Sequence, residues 1–159
     1  MLKIVVGALA VLSFSFIASM AAAADRHAGY YYPALTSQET YVARSQTMAS
    51  ENRALRLGFV TGLSTLQAKL PYAPSYVIFA KGEKAEKMII VGLGLQGFRT
   101  LYQARAQLAQ LTAISRSTKF LQDLSVETYF TFFDVAKLLG FEQITISDGA
   151  DFAHQVQLD

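Results

Sequence analysis

Hydrophobic residues recur at helical or strand spacing along most of the chain beyond residue 39. In the predicted helices they return every three or four positions, and in the predicted strands they alternate or form short unbroken runs. The predicted elements are, in order, a helix at 50–70, strands at 75–81 and 87–93, helices at 98–116 and 126–139, and strands at 143–147 and 152–158. This order indicates one α+β domain at 39–159, with a mainly antiparallel sheet of about four strands and about three helices packed on it.

Capping residues predict where these helices begin and end. Ser50 is the expected N-cap of the first helix and Ser125 that of the last, while Gly140 has the C-cap position. The inner face of the first helix is expected to carry Leu55, Phe59, Leu63, Leu66 and Leu70. Asp134 lies within the last helix, so burial would require a partner, and Arg105 is the expected one.

The first 24 residues have the pattern of a secretory signal peptide. Lys3 supplies a positive charge, an apolar run covers 4–17, and three alanines at 22–24 precede Asp25. The apolar run is shorter than the ~20 residues that span a bilayer, although an uncleaved anchor remains the alternative. We therefore expect a periplasmic or secreted protein that meets the membrane only through this peptide before cleavage. Residues 25–38 are expected to form a flexible N-terminal arm.

Composition narrows the possible chemistry. The 159-residue chain has no cysteine, which excludes disulfides, thiolate zinc sites and thiol nucleophiles. Its 2 histidines are too few for a histidine-rich metal site. Its 14 Lys plus Arg against 12 Asp plus Glu give no large basic excess of the kind that nucleic-acid binders show. No hydrolase, zinc-protease or Walker motif is present. These features predict no cofactor, no metal and no catalytic residue, and favour a binding or interaction domain for an unknown protein or small-molecule partner.

The most suggestive motif is the glycine-rich segment at 92–97. Gly92, Gly94 and Gly97 match G-x-G-x-x-G between a predicted strand and a predicted helix, where glycines let the backbone approach a pyrophosphate. The strand before it is expected to be the second arm of a hairpin rather than the first strand of a parallel unit. No acidic residue is expected at the end of a following strand. The alternative is an ordinary strand-to-helix turn.

Four other residues are candidates for ligand binding. Arg99 and Arg105 lie in a helical region with few acids and offer an anion-contacting surface. His154 stands between two apolar positions of a strand, so it is expected to be buried on the core face and held by one hydrogen bond. Asp148 lies in the turn before it, where turn chemistry is the alternative to a role as metal ligand or base partner.

Several stretches together resemble a known family. They are 71–74 (PYAP), 78–82 (IFAKG), 100–106 (TLYQARA), 138–149 (LLGFEQITISDG) and 152–155 (FAHQ). Over roughly residues 37–159 the chain resembles an uncharacterised proteobacterial exported family. Members are sometimes labelled molybdopterin-guanine dinucleotide biosynthesis protein A, so the resemblance implies a nucleotide- or molybdenum-cofactor-related protein as the alternative function. The family has no established catalytic residues to place on this chain.

Overall fold

The computed structural model describes residues 31–94 and 98–159. Its elements are β1 (Ser37–Tyr41), α1 (Arg53–Ala68), β2 (Tyr76–Lys81), β3 (Lys87–Gly92), α2 (Leu101–Arg116), α3 (Lys119–Asp123), α4 (Phe132–Leu138), β4 (Gln143–Ser147) and β5 (Ala153–Leu158). The predicted signal peptide at 1–24 and the first part of the predicted arm lie outside the described residues.

The strands form one mixed sheet in the order β1-β5-β4-β3-β2. The pairs β2–β3 and β4–β5 are antiparallel, whereas β1–β5 and β3–β4 are parallel. The α+β class and both predicted hairpins are confirmed. The fifth strand, β1, was not predicted, because its sequence SQETY contains no apolar run. Two of the four pairings, β1–β5 and β3–β4, are parallel.

The main hydrophobic core lies between the sheet and the helices. All four helices contribute to it from the same side, through residues such as Val60, Leu111, Leu121 and Phe132. The sheet contributes alternate residues of its strands: Met88, Ile90, Ile144, Ile146, Val156 and Leu158. By the same alternation, the opposite face carries a smaller cluster of Tyr32, Ile89 and Ala153. Its packing places Tyr32, 2% exposed, against the central strands.

The buried face of α1 differs from the predicted one. The helix begins after Asn52, whose side-chain oxygen accepts a hydrogen bond from the Leu55 N–H at 2.9 Å, so Ser50 is not the N-cap. The buried residues are Arg56, Val60 and Leu63. Arg56 takes a core position because its guanidinium donates to the carbonyl oxygens of Lys84, Leu139 and Gly140 and pairs with Glu51. As a result Leu66 and Leu70 remain 44% and 41% exposed.

The helix α4 is shorter than predicted at its N-terminal end. Ser125 has φ +55 and lies in a turn, so it is not the N-cap. Thr131 is the N-cap, and with Asp134 it forms a capping box in which each side chain bonds the other residue's backbone N–H. The sequence fits either start, and the tertiary contacts of Asp134 select the later one.

Asp134 is fully buried and receives hydrogen bonds from two other segments. The backbone N–H groups of Thr131 and Arg44 donate to its carboxylate at 2.7 and 2.8 Å, and the Tyr41 hydroxyl lies at 3.3 Å. The predicted ion pair with Arg105 is therefore wrong. Asp134 instead ties the start of α4 to β1 and to the segment that follows β1.

Candidate functional site

The glycine-rich segment lies where β3 leads towards α2. Gly92 is the last residue of β3, and Gly94 has φ +76, a conformation that favours glycine. A methyl group placed on Gly94 would meet no atom within 4 Å in the described part of the chain. Gly97 lies outside the described residues. Gly94 is therefore required by its backbone conformation rather than by a close contact.

The strand before this segment, β3, belongs both to a hairpin and to a parallel unit. β3 is the second arm of the β2–β3 hairpin, but it is also a parallel neighbour of β4, so the chain from β3 through the helices to β4 is a crossover connection. The expectation that β3 does not begin a parallel unit is wrong. The expectation of no acidic residue after the following strand is wrong too, because Asp148 directly follows β4.

The Asp148 carboxylate is hydrogen-bonded within its own turn. Its Oδ1 accepts hydrogen bonds from the backbone N–H groups of Ala150, Asp151 and Phe152 at 2.9, 3.0 and 2.9 Å. Partial burial raises the pKa of Asp148, but these backbone hydrogen bonds outweigh burial and leave the pKa lowered. The carboxylate thus closes the β4–β5 connection, which is the turn chemistry considered from the sequence.

The structure brings Arg99 and Asp148 together in one small cleft. The cleft has a volume of about 340 Å³ and is also lined by Asp151. At the start of α2, the Thr100 hydroxyl accepts from the Gln103 N–H at 3.2 Å, and Gln103 Oε1 accepts from the Arg99 N–H at 3.0 Å. Two carboxylates and helix N–H groups that are already bonded make this cleft a poor phosphate site.

His154 is buried on the core face, as predicted, with 1% of its surface exposed. Its Nδ1 lies 2.9 Å from the Ser37 hydroxyl, so its hydrogen-bond partner comes from β1. Its Nε2 lies 3.3 Å from Glu39 Oε1 without the geometry of a hydrogen bond. Arg105 donates to Glu39 Oε2 at 2.7 Å. Two candidates, Arg105 and His154, are therefore connected through Glu39, which the sequence did not single out.

Ser37, His154, Glu39 and Arg105 form what we call the Glu39–Arg105 cluster. Within it, the pKa of Glu39 is shifted. Partial burial raises the pKa of its carboxyl, but the hydrogen bond from Arg105, the close approach of His154 and the positive charge of Arg105 outweigh burial and leave the pKa lowered. The order serine–histidine–carboxylate occurs in hydrolases, where Nε2 serves the serine and Nδ1 the acid. Here the roles of the two ring nitrogens are reversed. Ser37 and His154 are register partners in β1 and β5, so their contact joins an edge strand to the sheet.

A different site emerges between α1, α2 and the start of β2. It is a cavity of about 320 Å³, which we call the Tyr76–Gln107 cavity. Its lining includes Leu63, Leu66, Tyr72, Tyr76, Gln107 and Gln110. Leu66 stands at this cavity because the buried face of α1 differs from the predicted one. Its volume is near the lower end of the ~300–1000 Å³ typical of ligand pockets.

Two polar side chains of this cavity are deeply buried and unpaired. Tyr76 is 3% exposed and Gln107 is 7% exposed. Within the described residues, neither the phenol nor the side-chain amide makes a hydrogen bond. Among the described residues, the unpaired side-chain atoms that are sealed from solvent belong to Ser115, Glu127 and His154. The polar atoms of Tyr76 and Gln107 are not among them. Both residues line the cavity, and their polar ends are not sealed from solvent.

The lining of the cavity contains no charged side chain among the described residues. Burial raises the pKa of the Tyr76 phenol, which keeps it neutral at physiological pH. Sequence reasoning missed this site. The available signal was Gln107, a polar residue that falls on the buried face of α2 between Ala104 and Leu111.

Two other classes of site concern metal ions and membranes. In that part of the chain, no group of three or more His, Asp or Glu side chains is placed to hold a metal ion. Within 31–94 and 98–159, no helix has the length and apolar character needed to cross a membrane. A scan against protein-family models and searches of curated proteins and solved structures found no match to this chain.

Proposed function

We propose that this protein is an exported, non-catalytic binding domain whose ligand site is the Tyr76–Gln107 cavity. The observation that supports it is the pair of buried, unpaired polar side chains facing one cavity. A ligand that fills the cavity displaces the water that reaches these two groups, so it must pair with them itself, since a polar group left unpaired costs about 1–3 kcal/mol. An apolar pocket with a few convergent polar groups is the usual form of a small-molecule site.

The charged candidate residues Glu39, Arg105 and Asp148 make structural contacts, which also supports a binding role for the cavity. Glu39, Arg105, Ser37 and His154 contact one another across β1, β5 and α2, and Asp148 bonds to its own turn. These groups hold structural elements together, whereas Tyr76 and Gln107 make no side-chain hydrogen bond within the described residues. We infer that recognition, rather than bond making or breaking, is the task of this domain.

Export is tested by the form in which the cell accumulates the protein. The full chain is expressed with its own N-terminus, and the protein is recovered from the periplasmic fraction. N-terminal sequencing is expected to begin at Asp25, after the alanines of the signal peptide. A protein that retains Met1 and sediments with membranes would contradict cleavage and favour the anchor.

Ligand binding is tested with a diverse fragment library that contains neutral, acidic and basic compounds. Two-dimensional NMR is expected to show hits that perturb residues around the cavity. Leu66→Trp places a large ring at this cavity and is expected to abolish those hits. Leu124→Trp is the matched control, since Leu124 and Leu66 are 46% and 44% exposed and Leu124 does not line the cavity.

Any of four results would overturn this proposal. Hits that persist in Leu66→Trp would move the site elsewhere, as would hits that map to the Glu39–Arg105 cluster. Reproducible turnover of any compound in a substrate panel would contradict the non-catalytic role. Calorimetric binding of GTP would instead favour the nucleotide-related alternative that the family resemblance implies.

A further inference from the structure

We propose that the Tyr76–Gln107 cavity selects small, uncharged ligands that carry a planar amide group. This inference rests on the proposed function, because it names the ligand class of the same site. The amide carbonyl and N–H of the ligand would pair with the Gln107 amide and the Tyr76 phenol, and its apolar part would contact the leucines of α1.

The hydrogen-bonding capacity of the two buried side chains leads to this class. A glutamine amide presents a carbonyl acceptor and N–H donors, and a phenol presents both a donor and an acceptor. Both side chains are more than nine-tenths buried and have no protein partner within the described residues. A purely apolar ligand would leave them unpaired and shut off from water, which is unfavourable. A ligand with adjacent donor and acceptor groups satisfies both.

Charge excludes ionised ligands from the same space. The described lining contains no carboxylate, ammonium, guanidinium or imidazole group. Burial raises the pKa of the Tyr76 phenol, so the cavity supplies no phenolate to a cation. An ion that enters would lose hydration without meeting a counter-charge. Acidic and basic compounds should therefore bind more weakly than a neutral compound of the same shape.

The walls favour a compact ligand with a ring or short apolar chain. Leu63, Leu70 and Ile114 supply aliphatic surface, and the solvent-exposed Tyr72 and Pro74 supply rings. A volume of about 320 Å³ accommodates one substituted ring more readily than an extended chain. This shape and the amide requirement together define the probes for a test.

The test uses four compounds that share one aromatic ring: benzamide, benzoate, benzamidine and toluene. The protein as processed by the cell is titrated with each, and NMR shifts of the cavity residues give the dissociation constants. Benzamide is expected to bind in the cavity, and the other three to bind at least about 10-fold more weakly. Tyr76→Phe and Gln107→Leu are each expected to weaken benzamide about 3- to 10-fold.

Two matched substitutions control for the chemistry of these changes. Tyr102→Phe removes a hydroxyl from a residue that is 84% exposed on α2. Gln38→Leu removes an amide from β1, at the sheet edge opposite β2. Neither is expected to change benzamide binding. Tyr76→Phe and Gln107→Leu should also melt no lower than the parent, since they remove groups without protein partners. A large loss of stability would reveal such partners and overturn the inference.

The outcomes separate this inference from the function on which it rests. If benzoate or benzamidine binds the cavity more tightly than benzamide, the ligand class is wrong and the binding site stands. If toluene binds as well as benzamide, and the two cavity variants bind as the parent does, the amide requirement is wrong. If none of the four compounds binds there, the inference fails, and an empty fragment screen would remove the proposed function as well.

Discussion

Replacing Asp134 by asparagine tests the contact that holds α4 in place. The side chain is 0% exposed, and its two oxygens accept from backbone N–H groups on either side: Arg44 at 2.8 Å and Thr131 at 2.7 Å. Asparagine keeps the size and one oxygen, but it replaces the other oxygen with an NH₂ group. Whichever way the amide turns, a donor then faces one of the two N–H donors.

The magnitude follows from these contacts. A hydrogen bond to a charged acceptor contributes about 1.5–3 kcal/mol, and a buried donor left unpaired adds roughly 1–3 kcal/mol. Thr131 keeps its capping bond to the N–H of residue 134, so part of the capping box survives. We therefore expect Asp134→Asn to lower the free energy of unfolding by about 2–4 kcal/mol.

The assay is urea denaturation near neutral pH. Because the chain has no tryptophan, the transition is followed by far-UV circular dichroism and by tyrosine fluorescence, which should coincide. With a slope of roughly 1–3 kcal/mol per M, the urea midpoint should fall by about 1–2 M. Asp151→Asn makes the same chemical change at an exposed turn position and should stay within about 0.5 kcal/mol of the parent.

Tyr41→Phe adds an intermediate point to this series. The Tyr41 hydroxyl lies 3.3 Å from the Asp134 carboxylate and 3.0 Å from the Thr131 hydroxyl. Its removal leaves both backbone donors bonded, so a loss of about 0.5–1.5 kcal/mol is expected. If Asp134→Asn unfolds within 0.5 kcal/mol of the parent, as Asp151→Asn should, the carboxylate does not anchor α4 and the assignment of its partners is wrong.

Four further substitutions test other parts of the fold. Gly140 has φ +83, and a methyl group there would also meet the Arg56 guanidinium, so Gly140→Ala should cost about 2 kcal/mol or more in urea denaturation. Gly62→Ala should instead stabilise by about 0.5–1 kcal/mol, because α1 leaves open space there; a loss would mean that the space is occupied. Ser115→Ala should leave stability unchanged or raise it by up to about 1 kcal/mol, since its buried hydroxyl has no partner in the described residues, and a clear loss would reveal one. Because the pKa of Glu39 is lowered in the folded protein, its stabilisation should be present above the unfolded value near 4.5 and be lost as pH falls through the folded pKa. Melting temperatures of the parent and Glu39→Gln from about pH 3 to about pH 7 should therefore converge in acid, and a difference that grows as pH falls would contradict this sign.

Local patterns determined the elements that have strong internal signals. The apolar runs of β2 and β3 and the alternation in β4 and β5 were recognised because they match the spacing of buried strand positions. The same alternation placed His154 on the core face, where it is 1% exposed. These features depend on residues that are close in sequence, so a single chain contains the information.

Partners distant in sequence decided the start of α4 and the buried face of α1. Val126 fits a helical pattern as well as Phe132 does, but Asp134 receives hydrogen bonds from Tyr41 and Arg44, about 90 residues earlier. Arg56 occupies a core position only because carbonyl oxygens of other segments surround its guanidinium. Periodicity describes which residues are apolar, and it contains no information about such polar partners.

The candidate site shows the same division. The sequence alone determined the α+β class, the hairpins and the absence of cysteine chemistry, because these follow from residue types and short-range spacing. Tertiary structure decided the parallel pairing of β3 with β4 and the addition of β1, since strand partners are chosen by packing across the whole domain. It also brought Tyr76 and Gln107, which are 31 positions apart in the sequence, to one cavity. Whether a buried polar group is paired or open to a ligand depends on what the rest of the chain places beside it, and only the folded molecule specifies those neighbours.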